Sequence, residues 1–428
     1  MHHYIKNILA GVSVLSQLSI LLVLVFAHGA TAETDSLFIA LTVSSILQLL
    51  AMMPYDQFIV YFNKVGKQSE QDANNFYIKV LIISALFGLL LTVVSELTVW
   101  VLSYFLEAFD VRDFLEQGVI HGFLAGLLAH SVLGLNDRYF NARGEIVTSY
   151  LILLIPQIAI LTGILGWTFV DIFELKAVGY IYALFVWAGA IVTTFFILKS
   201  VKITNDYRFS GIRDFIVDSV MMRVGHNIYA ISFQFFTNLF LIGMAEGIVS
   251  FFNYAYRAVI AIFSVAVSPA NRVLMFKMSI LAANKSMHEH TESSKKYLGE
   301  CIPLFLFFVF MVILAGALVL WLDTPIIHQY LKIELDTFIF IFTLISLWQF
   351  IVILESVYVG VIISLSKYRA FIVVNSIFAF MYISLGFIVK DYGQIYLLIL
   401  VGMLSQLMSF VMYRMVSNKL LGINSARR

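Results

Sequence analysis

The residues best suited to chemistry in this sequence are ionisable groups set deep inside long apolar runs. Arg223 lies eight residues past Phe215, about 12 Å along a helix, and Arg257 lies nine residues past Ile248, about 13 Å along. A guanidinium keeps its proton at any accessible pH and offers five donors that match phosphate oxygens. Two such groups at mid-depth would make an anion site. His226 follows Arg223 by three residues, shares its helix face, and would add a pH-sensitive donor. The plainer reading is an intramembrane ion pair, with Asp218, Asp56 or Glu355 neutralising an arginine. The same three carboxylates are candidates to bind a coupling cation. Pro54 is expected to open the helix beside Asp56, which would leave that carboxylate solvated at a helix end.

Other chemistry is poorly served. The sequence has no Walker A, HExxH or GxSxG pattern. Cys301 stands alone, so neither an intrachain disulfide nor a cysteine metal cluster can form. His288, Glu289 and His290 fall in what reads as a solvated loop. No cofactor and no metal are expected, and the reading is not enzymatic. A net charge of +1 gives no basic signal for nucleic acid.

These groups need elements to hold them. Of 428 residues, 61% are hydrophobic and only 12% are charged, too little polar surface to cover a soluble core. The apolar residues come in runs long enough to cross a ~30 Å hydrocarbon layer as helices. Twelve runs stand out, roughly 7–28, 35–62, 76–105, 118–135, 147–170, 177–198, 215–243, 248–275, 298–322, 338–365, 370–389 and 394–416. Residues 8–27 exceed the length of a signal-peptide core, so they are read as the first retained span. With the N-terminus inside, 21 of the 27 Lys and Arg residues fall on the cytoplasmic face and four on the other. Both termini are then cytoplasmic.

The expected fold class is all-α: a polytopic membrane protein of about twelve transmembrane helices in two six-helix lobes. Residues 1–198 form the first lobe, 199–214 a basic cytoplasmic linker, and 215–428 the second. A short internal echo agrees with two lobes. Ser36-Leu37-Phe38 recurs as Ser250-Phe251-Phe252, and Pro54 and Pro269 follow at similar distances.

Two stretches carry a family resemblance. Gly29-Ala30-Thr31-Ala32-Glu33-Thr34-Asp35-Ser36-Leu37-Phe38 resembles the start of the second span of MurJ-type lipid II flippases. Tyr254-Ala255-Tyr256-Arg257, followed by Ser264 to Pro269, resembles their eighth span. The resemblance implies the MOP exporter superfamily, with MurJ, the Wzx-type flippases and the MATE exporters, and with it a central cavity and alternating access. Asp35 and Arg257 carry over by position, Asp35 joining the candidates for coupling or gating. The first two spans lack the family's arginines: Ser16-Gln17-Leu18 and Ile46-Leu47-Gln48-Leu49 stand there instead. The resemblance implies a polyprenyl-pyrophosphate-linked oligosaccharide, a surface polysaccharide or peptidoglycan precursor, flipped across a bacterial inner membrane, and twelve spans and those departures favour a surface polysaccharide unit over lipid II. The pyrophosphate would meet Arg257, Arg223 and His226. The expected partners are this cargo, membrane lipids and a coupling cation, H+ or Na+, with the protein working as a monomer. The competing expectation is a MATE-like cation-coupled antiporter of drugs or metabolites.

Overall fold

The computed structural model describes residues 2–66, 69–105, 118–170, 172–201, 211–242, 244, 247–267, 270–271, 274, 287–322, 334–365 and 367–421. These are almost wholly helical, in the order α1 (His2–Ala27), α2 (Ala32–Ala51), α3 (Phe58–Gly66), α4 (Glu70–Phe105), α5 (Val119–Ala125), α6 (Leu127–Ala142), α7 (Ile146–Phe169), α8 (Lys176–Ser200), α9 (Ile212–Ala230), α10 (Phe236–Ile242), α11 (Ile248–Ala266), α12 (Met287–Leu322), α13 (Leu335–Ser364), α14 (Tyr368–Val389) and α15 (Ile395–Leu420). The protein is a polytopic α-helical membrane protein. Among the described residues nine helical segments are long and apolar enough to span, and α5 with α6, bent by 46° at Gly126, makes a tenth. The remaining two expected spans correspond to α1 and the broken run α9–α10, so each of the twelve apolar runs has a helix or a broken helix among its described residues.

The breaks have local causes. Gly29, at φ 68°, ends α1, and its N–H and that of His28 both return to the Leu24 carbonyl. Thr31 and Thr34 then bond each other reciprocally to start α2. Pro54 turns the end of α2 into a single 3-10 turn, Met53–Tyr55, before α3. A π-helical turn, Ile231–Phe235, separates α9 from α10. Lipid-facing surface is plain on α4 and α12, where Leu86, Trp100, Phe307, Phe310 and Trp321 stand exposed. Such a stripe in water would be a large unburied apolar patch.

One expectation needs correction. Residues 287–297 read as part of a cytoplasmic loop, but they form the first three turns of α12. That 36-residue helix is longer than a bilayer needs, so its polar beginning continues past the apolar run. His288, Glu289 and His290 therefore sit on a helix rather than a loop, and their side chains lie outside the described residues. Most of the 199–214 link and Pro269 lie outside the described residues as well.

The chain packs as two compact units, one of residues 1–23 and 36–227, the other of 24–35 and 228–428. In the first, α7 and α5 pack on α8, and α4 packs on α6. Gly122 of α5 and Gly179 of α8 let two backbones touch, because a Cβ on either would overlap the other helix. The core of this unit is aromatic: Tyr55, Phe58, Phe62, Phe76, Tyr77, Tyr139 and Phe215, with Phe58 and Phe76 stacked at 5.5 Å. In the second unit α13 and α14 pack on α15, and α11 and α12 on α13. Gly402 makes room there for the buried indole of Trp348.

Candidate functional site

Three polar constellations account for the ionisable groups that the sequence singles out. The first lies in the unit of residues 1–23 and 36–227, at the break after Pro54. Asp56 sits between the 3-10 turn and α3, and its side chain is only 5% exposed, so the expected solvation at a helix end does not occur. The carboxylate is buried because α9 supplies a cation: Arg223 Nη2 lies 2.5 Å from Asp56 Oδ1. Arg138 Nη2 of α6 reaches the same oxygen at 3.8 Å. Three further contacts fasten the break to α9. The Gln57 N–H donates to Ser219 Oγ at 3.1 Å, Gln57 Nε2 meets Met222 Sδ at 2.6 Å, and the Tyr61 hydroxyl donates to Asp218 Oδ2 at 2.8 Å. His226 turns its Nδ1 to the Met222 carbonyl, 3.1 Å away. Of the two readings offered for Arg223, the ion pair is the geometry present, and its carboxylate partner is Asp56, with Asp218 held by Tyr61. A removed partner would strand a buried charge at a cost of about 3–5 kcal/mol.

The second constellation explains the threonine-aspartate motif. Gly247, at φ 81°, precedes α11 and has no side chain to cap it. The cap comes from Asp35. Its carboxylate accepts the N–H of Gly247 at 2.8 Å, the N–H of Ser250 at 2.7 Å and the Ser250 hydroxyl at 2.5 Å. The Ser250 hydroxyl also lies 2.9 Å from Thr34 Oγ1, and the Tyr254 hydroxyl donates to the Gly29 carbonyl at 2.5 Å. An acidic group is stabilised at a helix N-terminus, where free N–H groups point outward. Of the sequence echo, Ser250 in the first turn of α11 is the member bound to Asp35, the residue that precedes Ser36 in the chain. Only glycine fits at 247, where a Cβ would come within 2.6 Å of the Ala30 carbonyl oxygen. Arg257 follows Ser250 by seven residues, half-buried in mid-span, and its neighbour Tyr256 is stacked on Phe252 at 5.9 Å.

The third constellation belongs to the same unit as Arg257. Glu355 of α13 is 6% exposed and accepts a hydrogen bond from Gln406 Nε2 of α15 at 2.7 Å. The Gln406 oxygen accepts in turn from the Tyr229 hydroxyl at 3.0 Å and from Trp348 Nε1 at 3.2 Å. Among the described residues Glu355 has no cationic partner. Phe233 and Phe378 close round this network, 4.7 Å from Trp348 and 4.8 Å from Tyr229. Gln406, Trp348 and Tyr229 escape a sequence reading that looks for charge, and so does Arg138, whose cation lies where an apolar run ends. The only signal for Gln406 was an amide within an otherwise apolar helix. No group of residues among those described could hold a metal ion.

The fold is shared with solved structures. An outward-facing MATE-family multidrug resistance transporter of the MOP superfamily superposes with a TM-score of 0.72 at 12% identity, covering 98% of this chain and 94% of that one. A MOP-superfamily transporter from Pyrococcus furiosus, described as having a binding pocket of reversed polarity, gives 0.65 at 13% identity over 97% and 94%. The lipid II flippase MurJ in an inward closed conformation gives 0.62 at 15% identity over 95% and 86%. No protein-family model matches the sequence, and no curated protein matches it at a significant level. The protein is thus a polytopic membrane protein with the fold of the MOP-superfamily transporters. That is the fold which the Thr34-Asp35 and Tyr254-to-Arg257 segments suggested from sequence.

Proposed function

We propose that the protein is a transporter that flips a polyprenyl-pyrophosphate-linked oligosaccharide across a bacterial inner membrane by alternating access. Its two lobes would be 1–198 and 215–428, with both termini in the cytoplasm. The observation that supports this cargo is Arg257, a permanent cation half-buried in the middle of α11. The helix that carries it is anchored at its start by Asp35, so the guanidinium is held at a defined depth. In this reading Arg257 takes the pyrophosphate, and Arg223 stays with Asp56 as part of the scaffold. Glu355 takes the coupling role, because a buried carboxyl served by neutral donors has room in its charge balance for H+ or Na+.

A second reading is a cation-coupled antiporter of drugs or metabolites, and the Glu355 network is the observation that favours it. Reconstituted liposomes separate the two. The first reading expects a fluorescent polyprenyl-pyrophosphate oligosaccharide to cross between leaflets only when the protein is present, with no export of cationic dye. Dye export driven by a cation gradient, with the labelled lipid left in its original leaflet, would replace the first reading by the second.

A further inference from the structure

A groove at one end of the second unit is not used by anything above. It opens between the beginning of α12 and the ends of α13 and α15, with a cavity of about 260 Å³. Its floor is apolar, with Leu298, Val361 and Phe410, and its rim is polar, with Lys295, Ser417 and Asn418. Lys295 is exposed and makes no ion pair among the described residues, whereas the adjacent Lys296 faces Glu300 at 3.9 Å. Ser417 is 1% exposed, and its hydroxyl has no hydrogen-bond partner among the described residues. A buried hydroxyl at the edge of a cavity, left without a partner, asks for a ligand that can accept its proton. The same end carries further basic residues, Lys367 and Arg369 at the start of α14 and Lys419 at the end of α15.

A lysine beside an unpaired hydroxyl and an amide suits a phosphate oxygen. An apolar floor running along membrane-spanning helices suits the upper methylenes of acyl chains. The volume falls below the range of about 300–1,000 Å³ that holds drug-sized ligands, so only a headgroup and the first part of its chains would fit. We propose that this groove is a binding site for an anionic glycerophospholipid of the surrounding membrane. Lys295, Ser417 and Asn418 hold its phosphate, and Leu298, Val361 and Phe410 seat its chains. Basic residues at a leaflet surface concentrate such lipids, and the groove turns that diffuse attraction into a site. The proposal is independent of the cargo.

The test counts lipid on the purified full-length chain by native mass spectrometry, after delipidation and titration with phosphatidylglycerol or phosphatidylcholine. Wild type should retain phosphatidylglycerol in preference, and Lys295→Gln should lower that retention about five-fold without changing phosphatidylcholine. Leu298→Trp, which fills the floor, should do the same. Ser417→Ala should weaken phosphatidylglycerol retention while leaving the melting temperature of the lipid-free protein unchanged or higher, because it removes an orphan hydroxyl. Lys419→Gln, at the same end but outside the groove, should retain lipid as wild type does. Equal retention by wild type, Lys295→Gln and Leu298→Trp would overturn the site. So would an equal loss in Lys419→Gln, which marks diffuse attraction alone. Displacement of phosphatidylglycerol by a polyprenyl pyrophosphate in wild type but not in Leu298→Trp would give the groove to the cargo and also overturn the proposal.

Discussion

Asp56 and Glu355 are both buried carboxylates on kinked or crowded spans, yet their surroundings differ in kind. Asp56 faces Arg223 at 2.5 Å with Arg138 behind, while Glu355 faces an amide, Gln406. A buried carboxylate paired with a guanidinium is bound to its partner, since each strands the other's charge if it leaves. A carboxyl held by neutral donors can change its charge without leaving a cation behind. Both carboxylates are buried, and what differs between them is the charge of the nearest partner.

The comparison can be broken at its strongest point first. Asp56→Ala and Arg223→Ala should each lose about 3–5 kcal/mol of stability, and the double change Asp56→Leu with Arg223→Met should recover most of it. Melting temperatures in detergent decide this; two single variants as stable as the double would remove the pair from the scaffold. Next in size is Asp35→Ala, expected to lose about 2 kcal/mol through the lost helix cap and its orphaned N–H groups. Hydrogen exchange should then quicken at 247–250 while the core of α13 stays protected. Tyr61→Phe removes one hydrogen bond to Asp218 and should lower stability by about 1 kcal/mol, sharpening how much of the strap on α9 belongs to Asp56 alone. Smallest is Glu355→Gln. An amide can stay bonded within the Gln406 network, so stability should move by less than about 1 kcal/mol. Transport in that variant should stop responding to a pH or sodium gradient, and a full response would take coupling away from Glu355.

Much of the fold was legible because a bilayer imposes a length on every span. Each of the twelve apolar runs has a helix or a broken helix among its described residues, and Pro54 ends α2 in a 3-10 turn where its missing N–H demands. The start of α12 is not legible in the apolar pattern, because backbone hydrogen bonds continue the helix beyond the hydrocarbon into polar sequence. In the site, charge was easy to find and pairing was not. Asp56 and Arg223 are far apart in sequence, and only packing brings α9 against the break. The cap on α11 was invisible for the same reason: Asp35 serves Gly247 and Ser250 across more than 200 positions. Gln406, a neutral side chain, gives no sign in a charge pattern that it holds Glu355.

Flipping of a labelled polyprenyl-pyrophosphate oligosaccharide in proteoliposomes tests most directly the proposal that Arg257 binds the cargo while Arg223 serves its pair with Asp56. Arg257→Ala, checked by size exclusion in detergent to be folded, should lose flipping, while Asp56→Leu with Arg223→Met keeps it. Wild-type flipping by Arg257→Ala would contradict the account.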